Sequence, residues 1–296
     1  MGVRIIVDST ADLAAGIKER LTVVPLTINF GDEEYVDGVT INHRAFYEKL
    51  IESDVMPTTS QATPDAFAKV FDEVIAADDD AVVLTISSKL SGTCQSAMIA
   101  AGEHAGRIYV VDSKTVAIGT GILAELALSL AGRGMCAGEI AATLIEEREN
   151  VSVIAMFDTL EYLKKGGRIS KTAALAGGLL SIKPVACIKD GEIKMLGKAR
   201  GSRQGNNLLI QEINATGGVD FDRPVLLGYT GLSDVLLQKY IEDSAAIWQE
   251  NADELRTTCI GSVVGTHAGP GAIAAAFFAK KKITHPMRRI LKDSFI

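Results

Sequence analysis

The chain has 296 residues, of which 47% are hydrophobic, 23% charged and 5% aromatic, and its formal net charge is −7 at pH 7. The apolar fraction excludes an intrinsically disordered chain, and the acidic balance argues against a dedicated nucleic-acid-binding protein, which needs a concentrated cationic surface. At about 150 residues per domain the length predicts two domains, with enough buried surface to fold without disulfides or metals.

The first half of the chain alternates short β-branched runs with helical patterns, which is typical of βαβ units around a parallel sheet. Thr63, Pro64 and Asp65 indicate a helix start, because they supply a capping hydroxyl, a proline at the first helical position and an acid in the first turn. We therefore predict a three-layer, parallel-sheet α/β domain over residues 1–155. Its predicted strands are 3–7, 22–30, 81–85, 107–111 and 151–157.

The second half has a different pattern. Two short apolar runs flank Lys189, Asp190 and Gly191, which predicts an antiparallel hairpin. We predict a smaller, mixed-sheet α+β domain over residues 156–296. Its further elements are predicted strands at 224–229 and 257–265 and predicted helices at 172–180, 233–250 and 270–279.

Two of these predicted helices are apolar on nearly every face, the first over 172–180 and the second over 272–279. This pattern leaves open either close packing in the core or an elongated apolar ligand between the two domains. Beyond them, the basic tail at 280–296 has no assigned role.

The cysteine pattern and the N-terminal sequence bear on the cellular compartment of the protein. Four cysteines stand far apart without a C-x-x-C motif, which predicts neither a disulfide framework nor a zinc site. We interpret them as reduced thiols of a cytoplasmic protein. No secretory signal precedes the first predicted strand, and glycines interrupt the longest uncharged stretch, 257–279, so we predict no membrane insertion.

Two hydroxyl-rich segments are candidates for an anion site. In segment 84–93 a predicted strand is followed by a hydroxyl-rich loop that opens a helix. Free backbone N–H groups and the helix dipole favour an anion there, although on this segment alone a simple helix cap is the favoured role of Ser91. Segment 57–63, which includes Thr59 and Ser60, places five hydrogen-bonding side chains before a helix that needs one for capping. Several neutral donors of this kind suit a carboxylate or a phosphate.

Two further segments add an imidazole and a guanidinium. Segment 265–271 is predicted to leave a strand and open a helix, with His267 at the strand end where ligands collect in α/β sheets; a structural histidine is the alternative. Segment 162–171 concentrates four cations, and Arg168 has the planar donor fork that binds anions. Lys164 and Lys165 are explained equally well as solvated charges at a helix end.

Several catalytic motifs are absent from the sequence. It contains no G-x-x-x-x-G-K-[ST] loop, no G-x-S-x-G elbow and no H-E-x-x-H helix, which weakens any claim to independent ATP use or to these hydrolase mechanisms. A nucleophile–base pair of Ser91 or Cys94 with His267 stays open, because such pairs are neighbours in space rather than in sequence.

Six motifs in chain order together resemble the DegV family. They are Ile-Val-Asp-Ser-Thr-Ala-Asp-Leu at 6–13, Pro-Thr-Thr-Ser-Gln at 57–61, Ser-Ser-Lys-Leu-Ser-Gly-Thr at 87–93, Val-Asp-Ser-Lys at 111–114, Lys-Gly-Gly-Arg-Ile at 165–169 and Gly-Thr-His-Ala-Gly-Pro-Gly at 265–271. The resemblance implies a bacterial fatty-acid-binding protein of two domains, with the lipid buried between them. It also implies a partner, a separate fatty acid kinase subunit that converts the presented acyl chain to acyl phosphate for phospholipid synthesis.

The resemblance also implies roles for individual residues. Carried over by motif, the ligands of the fatty-acid carboxylate are Thr59, Ser60, Ser91, Arg168 and His267. Candidate contacts with the partner are Lys171, Arg200 and Arg203. No catalytic residue, metal or cofactor is implied besides the bound long-chain fatty acid. The alternatives are an acyl hydrolase that uses Ser91 or Cys94 with His267, a kinase in its own right, and an interaction module with an empty cleft.

Overall fold

The computed structural model describes residues 2–169, 182–248 and 255–280. The strands are β1 Val3–Asp8, β2 Thr22–Val24, β3 Thr27–Phe30, β4 Glu33–Val36, β5 Thr58–Ser60, β6 Asp80–Thr85, β7 Ile108–Asp112, β8 Val151–Met156, β9 Ile182–Lys189, β10 Glu192–Arg200, β11 Leu226–Tyr229, β12 Thr257–Cys259 and β13 Ile273–Phe278. The α-helices are α1 His43–Glu52, α2 Pro64–Ala76, α3 Thr93–Ala101, α4 Ile118–Gly132, α5 Ala137–Glu147, α6 Glu161–Lys165, α7 Gly201–Ala215, α8 Val235–Asp243, α9 Ala245–Trp248 and α10 Ser262–Ala268.

These strands form three sheets. A parallel sheet has the order β2-β1-β6-β7, and a small antiparallel sheet has the order β4-β3-β5. The other six strands form a mixed sheet, β10-β9-β8-β13-β11-β12, in which β11 and β12 pair in parallel. The predicted fold class, a parallel-sheet α/β part joined to a mixed-sheet part, is confirmed. The predicted domain boundary at residue 155 falls within β8, a strand of the mixed sheet.

Helix α4 lies between the parallel sheet and the mixed sheet. It contacts β1 and β6 of the first and β8, β11 and β13 of the second. Its residues are buried along most of its length, which explains why its sequence is apolar on every face rather than along one stripe. The two sheets therefore share one core around this helix, and the start of the helix opens onto the space between them.

Several local predictions are confirmed. Helix α2 follows Thr63, whose Oγ1 accepts a hydrogen bond from the Ala66 N–H. The hairpin β9–β10 turns at Asp190 and Gly191, which have φ values of 54° and 81° and so give the twist that a two-residue hairpin turn requires. Helix α3, in contrast, is capped by Gly92 rather than by Ser91.

Two predictions in segments 22–30 and 257–279 are wrong. The first segment is interrupted at Pro25, which cannot donate a ladder hydrogen bond, so β2 joins the parallel sheet and β3 the antiparallel one. In the second, strand β12 ends at Cys259, residues 262–268 are helix α10, and the predicted helix 270–279 is strand β13. β13 pairs with both β8 and β11, and this pairing outweighs the helix propensity of its three alanines.

Lys171, the predicted helix 172–180 and nearly all of the basic tail lie outside the described residues. Within the described ranges, no helix combines the length and apolar character needed to cross a membrane.

Candidate functional site

A cavity of about 410 Å³ lies between the parallel and the mixed sheet, within the roughly 300–1,000 Å³ range of small-molecule sites. Its body is lined by apolar side chains of the mixed sheet, of the first turn of α4 and of one face of α10. Representative lining residues are Ile118, Val153, Ala155, Ala186, Val263, Val264 and Ala274. The surface enclosed by these groups suits an apolar ligand.

One end of the cavity is polar. It brings together all five residues that the sequence predicts as headgroup ligands: Thr59, Ser60, Ser91, Arg168 and His267. Ser60 is exposed and Thr59, Ser91, Arg168 and His267 are half-buried, so this end reaches the surface. Gln61 and Gly92 also line it.

The imidazole of His267 is fixed by two neighbours. Its Nε2 lies 2.9 Å from Thr59 Oγ1, a hydrogen bond that joins the last turn of α10 to β5. On its other side the ring lies against Gly166, where a Cβ would approach Nδ1 to 2.1 Å. This Nδ1 is buried and has no hydrogen-bond partner in the described part of the chain. The sequence prediction missed Gly166, because a glycine break at a helix end gives no sign of a contact with a distant histidine.

Arg168 is the cation of the polar end. Its Nε donates to the Leu90 carbonyl at 3.2 Å and its Nη1 to the Gly166 carbonyl at 2.6 Å, which ties the guanidinium to the loop before α3. Burial, and then the charge of Arg168, lower the pKa of His267 from 6.5 to about 4. At neutral pH the polar end therefore holds one guanidinium and one neutral imidazole.

The hydroxyl and amide groups tie β5 to the start of α3. Ser91 Oγ lies 2.9 Å from Thr93 Oγ1 and accepts a hydrogen bond from the Thr93 N–H. Gln61 Nε2 donates to Ser96 Oγ at 2.9 Å, and its side chain crosses Gly92 so closely that a Cβ there would lie 1.9 Å from Gln61 Oε1. These contacts hold the two hydroxyl-rich segments side by side.

The nucleophile–base pair that the sequence left open is not formed. Ser91 is hydrogen-bonded to Thr93, and His267 is hydrogen-bonded to Thr59. Cys94 is buried and does not line the cavity, and burial raises the pKa of its thiol. An imidazole with a pKa of about 4 is also a weak general base at neutral pH.

Two of the three partner-contact candidates, Arg200 and Arg203, do not line the cavity. Arg200 ends β10 and Arg203 is in the first turn of α7, and both are exposed. Among the residues that the structure describes, no cluster of three or more His, Cys, Asp or Glu side chains is arranged to hold a metal ion.

Comparisons with known proteins agree with this architecture. The family model described as "Uncharacterised protein, DegV family" matches residues 2–280. A DegV domain-containing protein of Caldanaerobacter subterraneus subsp. tengcongensis is 37% identical over 283 residues, which cover 94% of this chain and 99% of that protein.

Two solved structures are similar over almost their whole length. One, described as fatty acid binding of a DegV family protein from Thermus thermophilus, has a TM-score of 0.83 and 31% identity, covering 94% of this chain and 100% of the other. The second, a stearic-acid-binding protein from Eubacterium ventriosum, has a TM-score of 0.81 and 26% identity, covering 94% and 99%. With a family match over nearly all of its length and a relative above one-third identity, the chain belongs to the DegV family.

Proposed function

We propose that this protein binds one long-chain fatty acid, with the carboxylate at the polar end of the cavity and the acyl chain in its apolar body. The observation that carries the proposal is that one cavity combines an apolar interior with a polar mouth formed by Thr59, Ser91, Arg168 and His267. The fatty acid binding described for the similar Thermus thermophilus and Eubacterium ventriosum proteins supports it.

The two ends of the ligand have different energetic roles. Each buried methylene contributes about 0.8 kcal/mol, so a sixteen-carbon chain contributes roughly 10 kcal/mol before the costs of ordering are subtracted. The carboxylate contributes orientation, since a buried anion needs hydrogen bonds and a counter-charge. Arg168 supplies the charge, and the hydroxyls of Thr59, Ser60 and Ser91 supply donors.

We further propose that the protein is a carrier without catalysis of its own, acting in the cytoplasm and presenting the carboxylate to a separate fatty acid kinase. The exposed edge of the mouth, at Ser60 and Gln61, leaves the headgroup accessible to such a partner. Lys171, Arg200 and Arg203 are the proposed contacts with the partner or with the transferred phosphate. The cysteines support a reducing compartment, since Cys94, Cys136, Cys187 and Cys259 are all unpaired.

Native mass spectrometry of the purified protein tests the binding step. A carrier retains a mass increment of a few hundred daltons that disappears on organic extraction, and the extract identifies the acid. Absence of this increment, together with no rise in melting temperature on addition of any fatty acid from twelve to twenty carbons, would contradict the proposal. Steady hydrolysis of p-nitrophenyl esters that is lost in Ser91→Ala would support the hydrolase instead.

The presentation step needs a separate measurement. A purified fatty acid kinase catalytic subunit is supplied with ATP and palmitate, and acyl phosphate is trapped with hydroxylamine. Product is expected only when this protein is present. Equal product without it would refute the carrier role and leave fatty acid binding untouched.

A further inference from the structure

A row of small residues crosses the mixed sheet beneath the cavity. The strand register pairs Ala186 with Ala155, Ala155 with Ala274, and Ala274 with Gly228. Directly paired residues project to the same face of a sheet, and the three alanines line the cavity, so Gly228 faces the same side. With strands about 4.8 Å apart, the row is about 14 Å long.

At Gly228 the row is closed by two isoleucines. A Cβ on this glycine would lie 3.0 Å from Cδ1 and Cγ1 of Ile260 and 3.2 Å from Cγ2 of Ile118. Both side chains are therefore seated directly on the bare backbone of β11. Their other side borders the cavity, since both isoleucines line it.

The backbone beneath Ile260 is held by hydrogen bonds from three directions. Its N–H donates to the Tyr229 carbonyl at 2.8 Å, and its carbonyl accepts from Tyr47 Oη at 2.9 Å. The next N–H, of Gly261, donates to Asp12 Oδ1 at 2.7 Å. A ligand that presses on this side chain cannot displace it by moving the loop without breaking buried hydrogen bonds.

The isoleucine pair lies away from the polar mouth. Ile260 precedes helix α10 and His267 lies in its last turn, so most of this seven-residue helix, about 10 Å long, stands between them. The mouth lies near the β9–β10 hairpin, at the other edge of the sheet. Ser87 Oγ donates to the Gly191 carbonyl of this hairpin, and the Leu90 carbonyl, three residues after Ser87, accepts a hydrogen bond from Arg168. The row of small residues thus leads from the mouth side toward the isoleucine pair.

We propose that Ile118 and Ile260, seated on Gly228, form the stop that limits the length of the acyl chain, and that the row of small residues is the path of the chain. This inference rests on the proposed fatty acid binding. It assigns the preference for chain length to three residues that do not touch the carboxylate.

The test compares dissociation constants for saturated acids of fourteen, sixteen, eighteen and twenty carbons in the full-length protein. In Gly228→Ala the new methyl pushes both isoleucines a few tenths of an ångström into the cavity, so preference shifts to shorter chains. Ile260→Val and Ile118→Val each remove a methyl and shift preference to longer chains. Each methylene gained or lost from the slot changes the ratio of two dissociation constants about fourfold.

Ile273→Val is the matched control, because Ile273 is buried on the opposite face of the same sheet and does not line the cavity. Its preference for chain length should equal that of the wild type. If the wild type binds none of the acids, the proposed function fails. If the wild type binds but the ratios stay unchanged in the two valine variants, the stop is refuted while the proposed function stands, and this holds even if Gly228→Ala does not fold.

Discussion

Gly166→Ala is expected to disturb the polar mouth without disturbing the fold. The added Cβ would lie 2.1 Å from His267 Nδ1, 2.9 Å from its Cε1 and 3.1 Å from the Tyr162 carbonyl. Because non-bonded contacts need about 3.5 Å, the imidazole must move by more than 1 Å, which breaks its hydrogen bond of 2.9 Å to Thr59. Gly166 itself has φ −72°, which alanine adopts without strain.

The expected magnitude is that of one hydrogen bond to the ligand, because the displaced imidazole no longer positions the Thr59 hydroxyl toward the carboxylate. A typical hydrogen bond contributes about 0.5–1.5 kcal/mol, so the dissociation constant for palmitate should rise about two- to twelvefold. Displacement of the ring toward solvent should also raise the pKa of His267 from about 4 toward 6.5, because burial is the main cause of its low value. Calorimetry measures the first quantity, and a proton NMR titration of the imidazole measures the second.

Gly102→Ala provides the control. Gly102 also ends a helix with an ordinary φ, −58°, and a Cβ there meets nothing within 4 Å. It should leave both palmitate affinity and the pKa of His267 at wild-type values. A normal affinity and an unchanged His267 titration in folded Gly166→Ala would refute the argument that this glycine positions the imidazole.

Three further results are expected. Arg168→Met should weaken palmitate binding at least tenfold, since a hydrogen bond to a charged group contributes about 1.5–3 kcal/mol, but should leave the affinity for hexadecanol unchanged; equal losses for both ligands would mean a packing role. In Arg168→Met the NMR-titrated pKa of His267 should rise, because that cation helps to lower it. The free energy of unfolding of the ligand-free protein should fall by up to about 3 kcal/mol between pH 6.5 and pH 4, since the unfolded state binds the His267 proton first, and His267→Gln should abolish this component in denaturant titrations.

The parallel sheet could be predicted because its strands carry their own local signal. β1 and β6 are short β-branched runs, buried on both faces, and each is separated from the next by polar turns and a helical pattern. The cap at Thr63 and the turn at Asp190 are equally local, since each depends on residues within four positions. Signals of this kind can be recognised in the sequence without knowledge of the tertiary contacts.

The region 257–279 could not be predicted in the same way. β13 reads Ile-Ala-Ala-Ala-Phe-Phe, which has neither the alternation of a half-buried strand nor many β-branched residues. It is a strand because it pairs with β8 on one side and β11 on the other. β8 lies more than a hundred positions earlier in the sequence and β11 about fifty positions earlier. The same limitation hid Gly228, because its close neighbours are two isoleucines from distant parts of the chain.

The five residues that the sequence predicts as headgroup ligands line one cavity, although the element around His267 was assigned the wrong type. The prediction depended on hydrogen-bonding side chains concentrated next to glycines at element ends, and such ends are where both helices and strands expose side chains to a cleft. His267 lies at the carboxyl end of a helix instead of a strand, yet it still reaches Thr59. In this chain, the side-chain composition at the ends of the elements therefore indicated the candidate site even where the type of element was predicted wrongly.

The sequence could not show which of Arg168 and His267 carries a positive charge at the mouth. A histidine beside an arginine suggests two cations for one carboxylate, but burial and the Arg168 charge hold the pKa of His267 near 4, so one of the two is neutral. The two groups then have different proposed roles: Arg168 would balance the single negative charge of the carboxylate, whereas the imidazole and Thr59 form a neutral hydrogen-bonded pair. In the proposed complex, one cation therefore neutralises one carboxylate without excess positive charge, and most of the binding free energy comes from the acyl chain.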